Sequence, residues 1–128
     1  MIELFEEQTK PLDEYERVTL LPLMVRSLKR HVGKAQIITN AKMREGFANK
    51  GHDVGGARIR KLISHIRLNG LVECLMATGR GYYVTNSVKE LEKYIQSLRK
   101  RVEAIQAVIS ALIVQLEKLR QKQQTDDS

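Results

Sequence analysis

Tryptophan is missing from this 128-residue chain, cysteine occurs once, proline twice, and aromatic residues make up only 5% of it. The single cysteine, Cys74, cannot close an internal disulfide, and the paired-cysteine spacing of zinc modules and small secreted scaffolds is missing with it. Long apolar runs are also lacking. The greasiest stretch, 107–114, is interrupted by Ser110 and falls well short of the roughly 20 residues a membrane-spanning helix needs. The first seven residues are acidic and resemble no signal peptide. These absences point to a reducing, intracellular setting with no membrane partner.

Catalytic signatures are missing too. There is no glycine-rich phosphate loop of the usual spacing and no nucleophile elbow, and residues 17–70 contain only two acids, Glu45 and Asp53. His31, His52, His65 and Cys74 show no short metal-ligand spacing. Gly55 and Gly56 fit a tight lead-in to a helix better than a nucleotide cradle. The expectation is a protein that is not an enzyme and has no cofactor and no metal.

What is present is basic charge, unevenly placed. The formal net charge is +7, divided as −5 over residues 1–16, +10 over 17–70 and +2 over 71–128. A compact body carrying +10 attracts a polyanion through counterion release. The same charge on a solvated surface would have no partner, so the order of elements has to decide.

Asp13 can cap a helix whose apolar positions Val18, Leu21, Val25, Leu28 and Val32 repeat at three and four residues up to Gly33, with Pro22 disturbing the turn 19–21. Ile37 and Ile38 form a short extended piece. Thr39 or Asn40 caps a second helix, with Met43 and Phe47 inside, which runs to Lys50 and stops at Gly51. After a turn over 52–56, residues 57–69 form a third helix ended by Gly70. Its Ile59, Leu62, Ile63 and Ile66 share one side at about 100° per residue. Ala57, Lys61, Ser64 and Leu68 face away, flanked by Arg58 and His65 on one edge and Arg60 and Arg67 on the other. Residues 71–77 and 82–85 form a hairpin with its tip at 78–81. On it, Cys74 reads as a buried strand residue, and Tyr82 and Tyr83 read as one core and one exposed ring.

This is the element order of a winged helix-turn-helix, in which the second helix of the pair enters the major groove and the preceding one braces phosphates. The expected DNA-binding residues are therefore Arg58, Arg60, Lys61, Ser64 and His65 on the third helix, with Thr39, Asn40, Lys42 and Arg44 on the second. Arg80, between Gly79 and Gly81 at the hairpin tip, suits a wing reaching into a minor groove.

The most regular signal comes last. Val88, Leu91, Ile95, Leu98, Val102, Ile105, Ile109, Leu112, Leu116 and Leu119 alternate steps of three and four over five heptads. Position a is mostly β-branched and position d mostly Leu, which favours two parallel strands, with Ile105 at d the exception. The e and g positions carry Glu92, Arg99, Arg101, Gln106, Arg120 and Lys122 without clear opposite-sign pairs, so antiparallel pairing stays open. Val108 at g and Ile113 at e widen the seam, and with Ala104, Ala107 and Ala111 they leave open a contact with the first helix of the partner or a larger bundle. The expected partner through Leu91, Ile95, Leu98, Val102, Ile105, Ile109, Leu112, Leu116 and Leu119 is a second copy of the chain.

The stretch from Leu20 to Leu98 resembles a group of small phage or prophage-encoded winged-helix proteins. The likeness lies in Ala57-Arg58-Ile59-Arg60-Lys61-Leu62-Ile63, Ile66-Arg67-Leu68-Asn69-Gly70-Leu71, Gly81-Tyr82-Tyr83-Val84 and Tyr94-Ile95-Gln96-Ser97-Leu98. It implies DNA binding, in gene regulation or replication. A long helix pairing two subunits after the wing is similar in architecture to replication-terminator and PadR-type regulators.

The expected fold is thus mainly α (α+β): an acidic, flexible leader over 1–12, a winged helix-turn-helix over 13–86, a coiled-coil helix over 87–124 and a disordered tail over 125–128. The expected partners are double-stranded DNA and a homodimer mate. The alternative is an assembly module in which the coiled coil recruits protein and the basic face has no DNA site.

Overall fold

The computed structural model describes residues 10–127. Most of the acidic leader, residues 1–9, and Ser128 of the tail lie outside the described residues. The chain is mainly helical and divides into two compact units between Val88 and Lys89.

The first unit begins with a capping box. Asp13 Oδ1 accepts the Glu16 backbone N–H at 2.8 Å, and Glu16 Oε1 accepts the Asp13 N–H at 3.0 Å, which satisfies two amides that a helix start leaves without partners. A π-helical turn, Glu16–Leu20, leads into α1 (Leu21–Lys29). Pro22 has no N–H to close the ordinary turn, and the Leu21 N–H reaches five residues back to the Glu16 carbonyl. Four-residue steps drift about 40° around an α-helix. The wider π turn offsets that drift, so Glu16, Leu20, Met24 and Leu28 all lie buried. The inner face therefore differs from the expected stripe: Val18 and Val32 are exposed, and α1 stops short of Gly33.

A 3-10 turn at Lys34–Gln36 precedes α2 (Asn40–Asn49). Thr39 is its cap, its hydroxyl oxygen accepting the Lys42 N–H at 3.1 Å. Met43 and Phe47 point inward, and Gly51, at φ 84°, takes the left-handed stop. The next helix, α3 (Gly56–Leu68), buries Ile59, Leu62, Ile63 and Ile66, the four residues its periodicity marks. These side chains and those of α1 and α2 form one core with Val54, Val72, Leu75 and Tyr82.

The hairpin is shorter than expected. β1 (Leu75–Thr78) pairs antiparallel with β2 (Gly81–Val84), Leu75 opposite Val84 and Thr78 opposite Gly81. Residues 71–74 stay outside the strand because Gly70 and Cys74 both have positive φ, 64° and 59°, which breaks extended pairing. Cys74 is accordingly exposed, in contrast to its reading as a buried strand residue. Tyr82 and Tyr83 are both buried, correcting the expectation of one exposed ring. On its other edge β2 is held by single bridges to Val32 and Ile38. A Cβ on Gly81, whose φ is 143°, would overlap the Ile38 carbonyl oxygen, so this close approach requires glycine.

The second unit is one helix, α4 (Val88–Asp127), of 40 residues and therefore about 60 Å long. It continues past 124 to Asp127, so the disordered tail expected over 125–128 is helical as far as it is described. Every residue from Arg99 to Asp126 is exposed, with Val102 at 65% and Leu112 at 55%. No helix of the described residues is long and apolar enough to cross a membrane.

Candidate nucleic-acid interface

The basic residues of α3 fall into two sets with different surroundings. Lys61, expected to face away from the core, is only 6% exposed. Its ammonium donates to Glu16 Oε1 at 2.8 Å, and Glu16 is itself 1% exposed. Arg58 donates through Nε to Glu16 Oε2 at 3.0 Å and through Nη2 to Asp13 Oδ2 at 3.1 Å. Its guanidinium also lies 5.5 Å from the centroid of the Tyr15 ring, within cation–π range. The capping box thus serves twice. Its two carboxylates order the first helical turn and hold that turn against the Arg58–Lys61 side of α3. This corrects the expectation of an open basic face at those positions. Helical periodicity within α3 carries no information about a segment 45 residues earlier.

The electrostatics agree with the geometry. The Glu16 backbone N–H holds the Asp13 carboxyl below its usual value, helped by Arg58. Burial pushes Glu16 up, but hydrogen bonds from Lys61, the Asp13 N–H and Arg58 outweigh it and keep the carboxyl below the ordinary range. Burial opposes the charge on Arg58, and Glu16 and Asp13 overcome it, so its pKa is raised.

The second set lies on the outer side. At 3.6 residues per turn, Arg60, Ser64 and Arg67 fall within an arc of about 60°. Arg60 and Arg67 are exposed and Ser64 is half-buried. Arg67 belongs to this stripe by its seven-residue spacing from Arg60, although it is not among the residues expected to touch DNA. The start of α2 adjoins the stripe: a Cβ built on Gly56 would sit 3.3 Å from Asn40 Oδ1 and 3.4 Å from Arg60 Nη1. Asn40 Nδ2 in turn donates to the Tyr82 hydroxyl at 3.5 Å. The beginnings of α2 and α3 and the strand β2 therefore converge beside Arg60.

The remaining expected residues are spread more widely. The Thr39 hydroxyl is engaged in its cap. Lys42 and Arg44 lie on opposite flanks of α2, Lys42 in a groove with Arg30 and Lys50, and Arg44 beside Asp53. His65 turns toward the Arg58 edge of α3, its ring next to the Asn69 amide. Arg80 is exposed at the hairpin tip, where its N–H donates to Thr78 Oγ1 at 3.2 Å and the Thr78 hydroxyl donates to the Gly81 carbonyl at 3.0 Å. The tip is thus braced from within while its guanidinium projects outward.

Among the described residues no group of three or more His, Cys, Asp or Glu could hold a metal ion. Compared with protein families, curated proteins and solved structures, the chain matches none.

Proposed function

We propose that residues 13–86 act as a winged helix-turn-helix that binds double-stranded DNA, with α3 in the major groove, and that two copies are held together through α4. The role is that of a regulator or a replication-associated factor. The observation that carries this reading is the outer stripe of α3. Asp13 and Glu16 are engaged by Arg58 and Lys61, while Arg60 and Arg67 are exposed on the opposite flank beside Ser64. An arginine in the first turns of a groove-bound helix can bond bidentately to guanine. The helix N-terminus adds a favourable field for phosphate. Asn40 at the start of α2 and Arg80 at the hairpin tip stand as further backbone or groove contacts.

The test is fluorescence anisotropy of a mixed-sequence duplex of about 30 base pairs, titrated at several salt concentrations, since the slope of log affinity against log salt counts neutralised phosphates. A steep slope that Arg60→Glu flattens, with the fold intact by circular dichroism, supports the reading. No binding at low salt overturns it. The assembly-module reading then leads, and it has its own support in the exposed apolar side chains along α4.

A further inference from the structure

The helix α4 is uninterrupted from Val88 to Asp127, so no break disturbs the heptad phase of its ten seam residues, and a left-handed supercoil takes up the drift of about 20° per heptad. Beside that seam, Val108 at g and Ile113 at e are 58% and 59% exposed within the chain. Two apolar side chains at flanking positions constrain how a partner helix can lie, because flanking residues of one helix meet flanking residues of the other.

In a parallel, in-register pair, each g residue meets the e residue five positions further along the partner. Val108 then meets Ile113, Arg101 meets Gln106, and Gln115 meets Arg120. The two apolar flanking residues cover each other, Arg101 and Arg120 each find an amide, Arg99 meets Tyr94, and none of these pairs has like charges.

Antiparallel pairing can keep the a and d layers matched in three main ways, and each creates a conflict. Layering Ile109 on Leu98, which matches all ten seam residues, sets Val108 beside Arg101 and Ile113 beside Glu92. Layering Ile109 on Leu112 sets Arg99 against Arg120 and Arg101 against Lys122, which are like charges. Layering Ile109 on Ile105 brings the two Val108 side chains together but sets Ile113 beside Arg99 on both sides of the pair. That alignment gains a Glu92–Arg120 pair, but an exposed ion pair contributes little in water.

We propose that the partner of α4 is a second copy of this chain, lying parallel and in register, with Val108 of each copy seated against Ile113 of the other. This rests on the two-copy reading above and adds its geometry. The β-branched residues at a and leucines at d agree with a parallel two-stranded arrangement. A functional consequence follows from chain connectivity: both first units join the stalk at the same end, where they can engage neighbouring half-sites. An antiparallel stalk with Ile109 on Ile105 would separate the two helix starts by about 55 Å.

The experiment uses the full chain carrying Cys74→Ser and Gln124→Cys, spin-labelled at the new cysteine, with its mass measured by sedimentation and the label-to-label distance by pulsed electron resonance. The expected result is a dimer with a single distance below about 30 Å, since paired helix axes lie only about 10 Å apart. A dimer with a distance of about 40 Å or more overturns the parallel arrangement and leaves the two-copy reading standing. A monomer at all concentrations overturns both. A mass above that of a dimer overturns the two-helix arrangement.

Discussion

Lys61 donates to Glu16 across 2.8 Å, and both side chains are almost fully withdrawn from solvent. One partner comes from the first helical turn of the unit and the other from the middle of α3. The pair therefore fixes the orientation of the proposed recognition helix against the N-terminal turn. It also removes a cation from the surface that DNA would meet.

Breaking this pair from one side should be costly. Glu16→Leu strands a buried ammonium and is expected to destabilise the first unit by about 3–5 kcal/mol, whereas replacing both partners, Glu16→Leu with Lys61→Met, should recover much of the loss. Urea denaturation of the two single variants and the double variant checks this. Additive effects would mean that the two groups do not stabilise one another.

Acid should loosen the same contact. Asp13 and Glu16 both have folded pKa values below their ordinary ones. Their contribution is therefore fully present above the unfolded values and is lost as pH falls through the depressed folded values. The melting temperature should hold near neutrality and drop below the ordinary glutamate value of 4.5. In Asp13→Asn/Glu16→Gln that acid-side drop should be shallower, as read by circular dichroism melts across the acid range.

The two arginine sets of α3 should separate by phenotype. Arg60→Ala and Arg80→Ala are each expected to leave the melting temperature nearly unchanged and to reduce the salt slope of DNA binding by about 0.9 for each phosphate that is no longer neutralised. Arg58→Ala should lower thermal stability, because it removes the one cation that bridges both capping-box carboxylates, leaving Glu16 with Lys61 alone. Parallel melts and anisotropy titrations distinguish the two patterns. A stable Arg58 variant with a flattened slope would return that residue to the DNA surface.

Gly81→Ala tests the packing of the hairpin against the Ile38 segment. The added methyl has no room beside the Ile38 carbonyl, and the backbone there is in a conformation that side chains avoid. A loss of more than about 1 kcal/mol is expected, with weakened amide protection at Ile38 and Tyr82, whose two mutual hydrogen bonds are 2.9 and 2.8 Å. Hydrogen exchange reports both amides directly.

Local pattern alone determined a good deal of this protein. The three- and four-residue spacing of Ile59, Leu62, Ile63 and Ile66 marked the buried side of α3, because those residues lie on one helix and their directions follow from its turn. A cap at Thr39 or Asn40, Gly51 and Gly70 as stops, the hairpin around Arg80 and the long helix from Val88 are legible for the same reason: each depends on neighbours a few residues away. The stripe of α1 departs from its periodicity because the turn before Pro22 widens, which brings Glu16 and Leu20 into line with Met24 and Leu28 and leaves Val18 exposed, while Val25 stays half-buried against the core. The status of Arg58 and Lys61 was beyond any local pattern. Whether a cation faces water or a carboxylate depends on what packs over it, and here that is Asp13 and Glu16, more than 40 residues away in sequence. Only the tertiary structure brings those charges within hydrogen-bonding distance, and so only it decides which basic residues of α3 remain at the surface.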